Sequence, residues 1–241
     1  MLYYETFSVQ SLLILNQMHT SAARLPGDLA RRALRANDVQ DQAQRVGAYI
    51  LLEKMIRKYT DQFRSNIEGI VNAEFSSFFD AHSPLAALHY DAYGKPYFAG
   101  HENATLSISH AGYMVACALV LEEDGKTASQ VGIDIQNVDY DLERAERIAE
   151  RYFSDGEKLL LAPHAGDKEA FCQLFTRIWT RKEAYLKYLG VGLAEISKAD
   201  TTNPAHSCVF EEAEQVLTYL DAKERQQEEL YYITVCTDPA E

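Results

Sequence analysis

Between Asn37 and Tyr59 the apolar positions recur at helical spacing, with Ala43, Val46, Ile50 and Ile56 on one face and Asn37 or Asp38 placed to cap it. This predicts one long helix. Tyr93-Gly94-Lys95-Pro96 reads as a turn, because glycine and proline punctuate it. Ala104–Ser109 and Tyr113–Leu121 read as strands, the second nearly all apolar and therefore central. Glu122–Ser129 is polar with a glycine, and it marks the expected boundary between two halves. The pattern then restarts. Val131–Ile135 is a short apolar strand, and Asp141–Phe153 is a helix with Leu142, Ala145, Ile148, Ala149 and Tyr152 on one face. Ser154 and Glu157 have the spacing of a capping box. A second long helix runs from Lys168 to Leu189 and stops at Gly190 and Gly192. Cys208–Glu211, Val216–Leu220 and Leu230–Cys236 read as closing strands. The fold class expected is α+β, in two similar halves covering residues 1–125 and 126–241.

Three places break the pattern. In the second long helix, Phe171, Leu174, Phe175, Ile178, Tyr185, Leu186 and Leu189 form the core stripe, while Trp179, Glu183 and Lys187 line a neighbouring stripe one turn apart from each other. By spacing alone Glu183 and Lys187 are a surface ion pair worth a few tenths of a kcal/mol. In Val131-Gly132-Ile133-Asp134-Ile135-Gln136 an acid interrupts an apolar strand. Asp134 and Gln136 point to one face, roughly 6–7 Å apart. They are either strand-end hydrogen-bonding groups or oxygen ligands for Mg²⁺, which binds one or two carboxylates together with substrate phosphates and water. In Leu106-Ser107-Ile108-Ser109-His110-Ala111-Gly112, His110 is a turn histidine or a phosphate contact with Ser109 beside it.

Composition narrows the partners. The 241 residues are 47% hydrophobic, enough for one large domain or two small ones. With 23 basic and 36 acidic residues the formal charge is −13, which argues against general nucleic-acid binding. Basic residues concentrate between Arg24 and Arg64, so a local basic patch can still meet an anionic ligand. Cys117, Cys172, Cys208 and Cys236 form no C-x-x-C pair and read as reduced thiols. No apolar run approaches the roughly 18 residues of a membrane span, and a cytoplasmic protein is expected.

The pieces together resemble the larger, Sfp-like group of 4'-phosphopantetheinyl transferases. The residues that carry the resemblance are Gly132-Ile133-Asp134-Ile135-Gln136, then Trp179-Thr180-Arg181-Lys182-Glu183-Ala184-Tyr185-Leu186-Lys187, with Gly94-Lys95-Pro96, Ser109-His110 and Arg151-Tyr152-Phe153-Ser154…Glu157 between and before them. The match spans about Tyr93 to Leu193. The resemblance implies a monomer of two pseudo-symmetric halves with coenzyme A in the cleft between them. It implies transfer of the phosphopantetheine arm from coenzyme A to a serine of an apo acyl or peptidyl carrier protein, releasing adenosine 3',5'-bisphosphate. Asp134 and Glu183, with Gln136, would hold Mg²⁺ (or Mn²⁺) across the diphosphate. Glu183 would take the serine proton, directly or through a water, and Lys187 would stabilise the diphosphate. Lys95, Ser109, His110 and Arg45 would contact the nucleotide end, with Arg31, Arg32 or Arg35 adding a phosphate contact. Glu157 has a counterpart in the family, beside its reading as a cap. Many relatives have an acid where this chain has Gln136, which implies a raised Mg²⁺ requirement. The competing reading is a non-catalytic module of the same fold that binds coenzyme A or a carrier protein.

Overall fold

A computed structural model describes residues 1–14, 17–66, 83–123, 125–203, 208–221 and 223–239. The chain forms two compact units, Met1–Val131 and Gly132–Glu241.

In the first unit, β1 (Leu2–Ser8) and β4 (Ala104–Ala111) pair antiparallel with the two edges of β5 (Met114–Leu121). All eight residues of β5 are buried, as its unbroken apolar run requires of a central strand. Helices α1 (Gln10–Ile14), α2 (Met18–Ala22) and α3 (Gly27–Leu34) precede the long helix α4 (Val39–Asn66). Asp38 caps α4, accepting the Asp41 amide at 3.1 Å. Leu52, Met55 and Ile56 of α4 share one core with Leu106 and Leu119 of the sheet. A small hairpin, β2 (Leu88–Tyr90) and β3 (Pro96–Phe98), is folded around the turn read at Tyr93–Pro96. Asp91 Oδ1 accepts the amides of Tyr93 and Lys95, each at 2.8 Å, and Gly94 supplies φ 85°.

The second unit repeats the strand plan. Its sheet runs β6 (Val131–Asn137), β8 (Gln226–Thr237), β7 (Val209–Leu220), so in both units the last strand in sequence is central. Helix α5 (Leu142–Tyr152) is capped by Asp141, whose side chain accepts the Arg144 amide. Helix α6 (Asp155–Leu161) carries the full capping box of Ser154 and Glu157. Helix α7 (Lys168–Leu189) is capped by Asp167 and ends at Gly190 with φ 72°. The mixture of helices and small sheets is the α+β class expected.

Three details depart from the pattern read in the sequence. Leu2–Ser8 is a strand, although it does not alternate cleanly; its partner β5 holds it in place. Cys208–Glu211 and Val216–Leu220 are not two strands. They are parts of one twelve-residue strand, because Glu212 in the polar middle is paired by Arg177 and Arg181 rather than turned to a loop. Leu189, placed on the core stripe of α7, is 47% exposed, while Lys182 is fully buried. None of the four cysteines is in a disulfide, and no described helix is long and apolar enough to cross a membrane.

Candidate active site

Strand β6 and helix α7 lie unusually close. A Cβ on Gly132 would collide with the Ala184 carbonyl and the Tyr188 amide, so glycine is required for this approach. The contact puts Asp134, two residues on, against the face of α7 that carries Trp179, Glu183 and Lys187. Asp134 is fully buried. Its Oδ1 accepts Lys187 Nζ at 2.6 Å, and its Oδ2 accepts Gln136 Nε2 at 3.0 Å. Glu183 lies close enough to Asp134, Lys187 and Trp179 for all three to act on its carboxyl. All of the residues read as catalytic or metal-holding therefore meet within one unit.

The electrostatics of this cluster are strained. Burial, and then the neighbouring Asp134 carboxylate, push the Glu183 carboxyl up to about 8, with Lys187 and Trp179 pulling the other way. Two carboxyl groups in one partly buried place repel unless a proton or a cation lies between them. Asp134 and Glu183 supply hard oxygen ligands, and Gln136 can add an amide oxygen by turning away from Asp134. The donor set fits Mg²⁺ held by two carboxylates, with the remaining positions left to substrate phosphate and water. Among the described residues no group of three or more His, Cys, Asp or Glu is placed to hold a metal.

Trp179 anchors the cluster from below. Its ring stacks with Phe153 and Phe175 and meets Tyr152 edge-on. A cavity of about 380 Å³ opens beside it, lined by Gln136, Asn137, Asp139, Arg144, Ile148 and Phe175 among others.

The candidates in the first unit divide. Arg45 and His110 line a cavity of about 260 Å³ together with Arg32, Tyr49, Tyr90 and Ile108. The Arg32 guanidinium lies 3.8 Å over the Tyr90 ring, and the Tyr90 and Tyr49 hydroxyls are 2.8 Å apart. Burial, then Tyr49, raise the Tyr90 hydroxyl far above its ordinary range. Arg45 is paired with Asp41 at 2.8 Å. Lys95 donates to Gln130 at 2.8 Å and does not line this cavity. Ser109 is buried and, by strand alternation, faces away from Ile108 and His110. Of the three arginines named near the N-terminus, Arg32 is the one at the cavity.

Lys182 and Glu157 are the residues whose setting sequence reasoning missed. They form a fully buried ion pair at 2.8 Å. The only signal was the adjacency of Lys182 to Glu183, and nothing local marks a lysine as buried when its partner lies 25 residues away.

Residues 130–236 match the family model of the 4'-phosphopantetheinyl transferase superfamily. The chain is 33% identical over 123 residues to the 4'-phosphopantetheinyl transferase AcpT of Salmonella typhi, covering 51% of this chain and 59% of that protein. It is 34% identical over 122 residues to AcpT of Escherichia coli (strain K12), covering 50% and 57%. It is 35% identical over 103 residues to the 4'-phosphopantetheinyl transferase Sfp of Bacillus subtilis (strain 168), covering 42% and 40%. The match spans little more than half the length of the AcpT proteins and less of Sfp.

Proposed function

We propose that this chain, whose residues 130–236 belong to the 4'-phosphopantetheinyl transferase superfamily, moves the phosphopantetheine arm of coenzyme A onto a serine of an apo acyl or peptidyl carrier protein. The observation that carries the reading is the meeting of Asp134, Glu183 and Lys187, with Lys187 Nζ 2.6 Å from Asp134. Displacement at the β-phosphorus of coenzyme A forms a bond to the serine oxygen and breaks the bond to the bridging oxygen of the leaving nucleotide. Negative charge builds on the diphosphate, and such reactions are accelerated mainly by positioning and charge neutralisation.

The chain's residues have distinct parts in this. Asp134 and Glu183, with Gln136, would hold Mg²⁺ or Mn²⁺. When bound there, such an ion would supply charge neutralisation and Lewis-acid polarisation at the diphosphate. Lys187 gives its ammonium to the same diphosphate, leaving Asp134 free for the cation. Glu183 accepts the proton of the serine hydroxyl. The cavity lined by Gln136 and Trp179 is assigned to the approach of the serine-bearing loop, supported by its place beside these neighbours of the pair. Arg32, Arg45 and His110 are assigned to the phosphate on the nucleotide end, supported by their shared cavity. Lys95 and Ser109 keep the same assignment on the resemblance alone. The reading takes the protein as a cytoplasmic monomer; four cysteines outside disulfides are in keeping with a reducing compartment.

Mass spectrometry tests the proposal. The protein is mixed with coenzyme A, Mg²⁺ and a panel of apo carrier proteins. One carrier should gain the mass of the arm and adenosine 3',5'-bisphosphate should appear with it. Binding of coenzyme A without transfer to any carrier would instead favour a binding module.

A further inference from the structure

The buried Lys182–Glu157 pair is not needed for the chemistry just described, and as a source of stability it is a poor choice. Buried ion pairs are often no better than well-packed apolar residues of the same volume. Its geometry, however, is fully specified. Glu157 Oε2 accepts Lys182 Nζ at 2.8 Å and the Ser154 amide at 2.9 Å. Glu157 Oε1 accepts the Thr201 amide at 2.9 Å and the Thr201 hydroxyl at 2.8 Å. Lys182 also donates to the Ala199 carbonyl. All lone-pair positions of the carboxylate are used. The network continues through Ser154 to Asp200, and the Lys182 ammonium lies 5.6 Å from the Phe153 ring that stacks on Trp179.

We infer that Lys182 and Glu157 are positioning residues that fix the rotation of α7 about its axis and so aim Glu183 at Asp134. This rests on the proposed role of Glu183. Neighbouring helix residues point about 100° apart, so pinning one side chain fixes the direction of the next. The pin at Lys182 acts on one side of α7, while the close approach of Gly132 to Ala184 and Tyr188 acts on another. A rotation of about 30° would sweep a side-chain tip at 5–6 Å radius through about 3 Å. A displacement of about 1 Å at a reacting group can cost about a hundredfold in rate. Apolar packing lets a helix slide and turn, whereas directional bonds from Lys182 to both Glu157 and Ala199 do not.

Trp179 is the only tryptophan in the sequence and lies one turn before Glu183 on the same face of α7, so its fluorescence reports this face without requiring transfer activity. The test is the double variant Glu157→Gln/Lys182→Met, which removes both charges and keeps side-chain volume. It should stay folded, at some cost in urea stability because the amide nitrogen brought to position 157 cannot accept a backbone N–H, and should show shifted Trp179 emission. Its Mn²⁺ midpoint, read by Trp179 quenching, should rise about tenfold or more, the size expected when support behind a metal ligand is lost. Its kcat should fall by a similar factor with little change in KM for coenzyme A. Wild-type emission, Mn²⁺ midpoint and kcat in the folded double variant would overturn the inference. If the double variant does not fold, Thr201→Val removes one bond to Glu157 and should shift the Mn²⁺ midpoint about threefold, as loss of one hydrogen bond does; no shift overturns it equally. Fluorescence and Mn²⁺ differences without transfer by the wild type would sink the proposed reaction and leave the positioning role intact.

Discussion

Lys182 and Glu183 are consecutive on one helix and sit in opposite electrostatic settings. Lys182 is fully buried against Glu157, with its charge matched and every acceptor filled. Glu183 faces a second carboxylate, and that neighbour together with burial drives its carboxyl up to about 8. The first setting is one a folded protein can keep permanently. The second is a conflict that only a cation or a proton relieves. On the proposed function, the two side by side separate charge that fixes structure from charge held for a ligand, a distinction that residue type alone does not make.

The sharpest way to break the comparison is to remove the strained group. Asp134→Ala and Glu183→Ala should each lower transfer roughly a thousandfold, the upper range for losing one electrostatic stabiliser, with circular dichroism unchanged. A rate near wild type for either would remove it from the site.

The satisfied pair should respond in the other currency, stability. Lys182→Met alone strands a buried carboxylate, and urea unfolding should show a loss of about 3–5 kcal/mol. A loss of a few tenths would mean that water reaches Glu157 and that the contrast with Glu183 is weaker than the burial indicates.

A carboxylate on β7 that pairs with two arginines of α7 gives a comparison of intermediate size. Burial works against ionisation of Glu212, yet the Arg181 and Arg177 guanidiniums hold it down at about 2. A carboxyl lowered on folding contributes stability above its ordinary value of about 4.5 and loses it as pH falls toward 2. That contribution should be about 1–2 kcal/mol after allowance for solvent screening. In Glu212→Gln the acid side of the stability–pH curve should flatten by this amount, and an unchanged curve would contradict the assignment.

The smallest effect belongs to Gln136. It donates to Asp134 at 3.0 Å, so it eases the conflict that an acid would sharpen. Gln136→Glu should lower the Mg²⁺ needed for half-maximal rate severalfold, because a carboxylate is the stronger ligand for a hard cation. Superimposable metal titrations would show that residue 136 lies outside the coordination shell.

Much of this contrast was legible from the order of residues. Helical spacing placed Trp179, Glu183 and Lys187 on one stripe, and the caps read at Asp38 and Ser154 mark where two helices begin. An acid inside an apolar strand drew attention to Asp134. Other features depend on partners distant in sequence. Lys182 looks like any surface lysine until Glu157 and Ala199 are brought to it. Glu212 seems to interrupt a strand until two arginines of α7 pair with it. Ser109 and His110 read together as a motif, yet alternation sends them to opposite faces of β4. Local pattern reveals a face or a period, whereas the burial of a charge is decided by tertiary contact.

Calorimetric titration with Mg²⁺, in the presence of coenzyme A, tests most directly whether the Asp134–Glu183 conflict exists to receive a cation. Wild type should bind and, at a hundredfold excess over its dissociation constant, gain about 2.7 kcal/mol of stability. Glu183→Gln should be the more stable protein without metal and should gain almost nothing from Mg²⁺. Equal gains in both proteins, or none in either, would contradict the account.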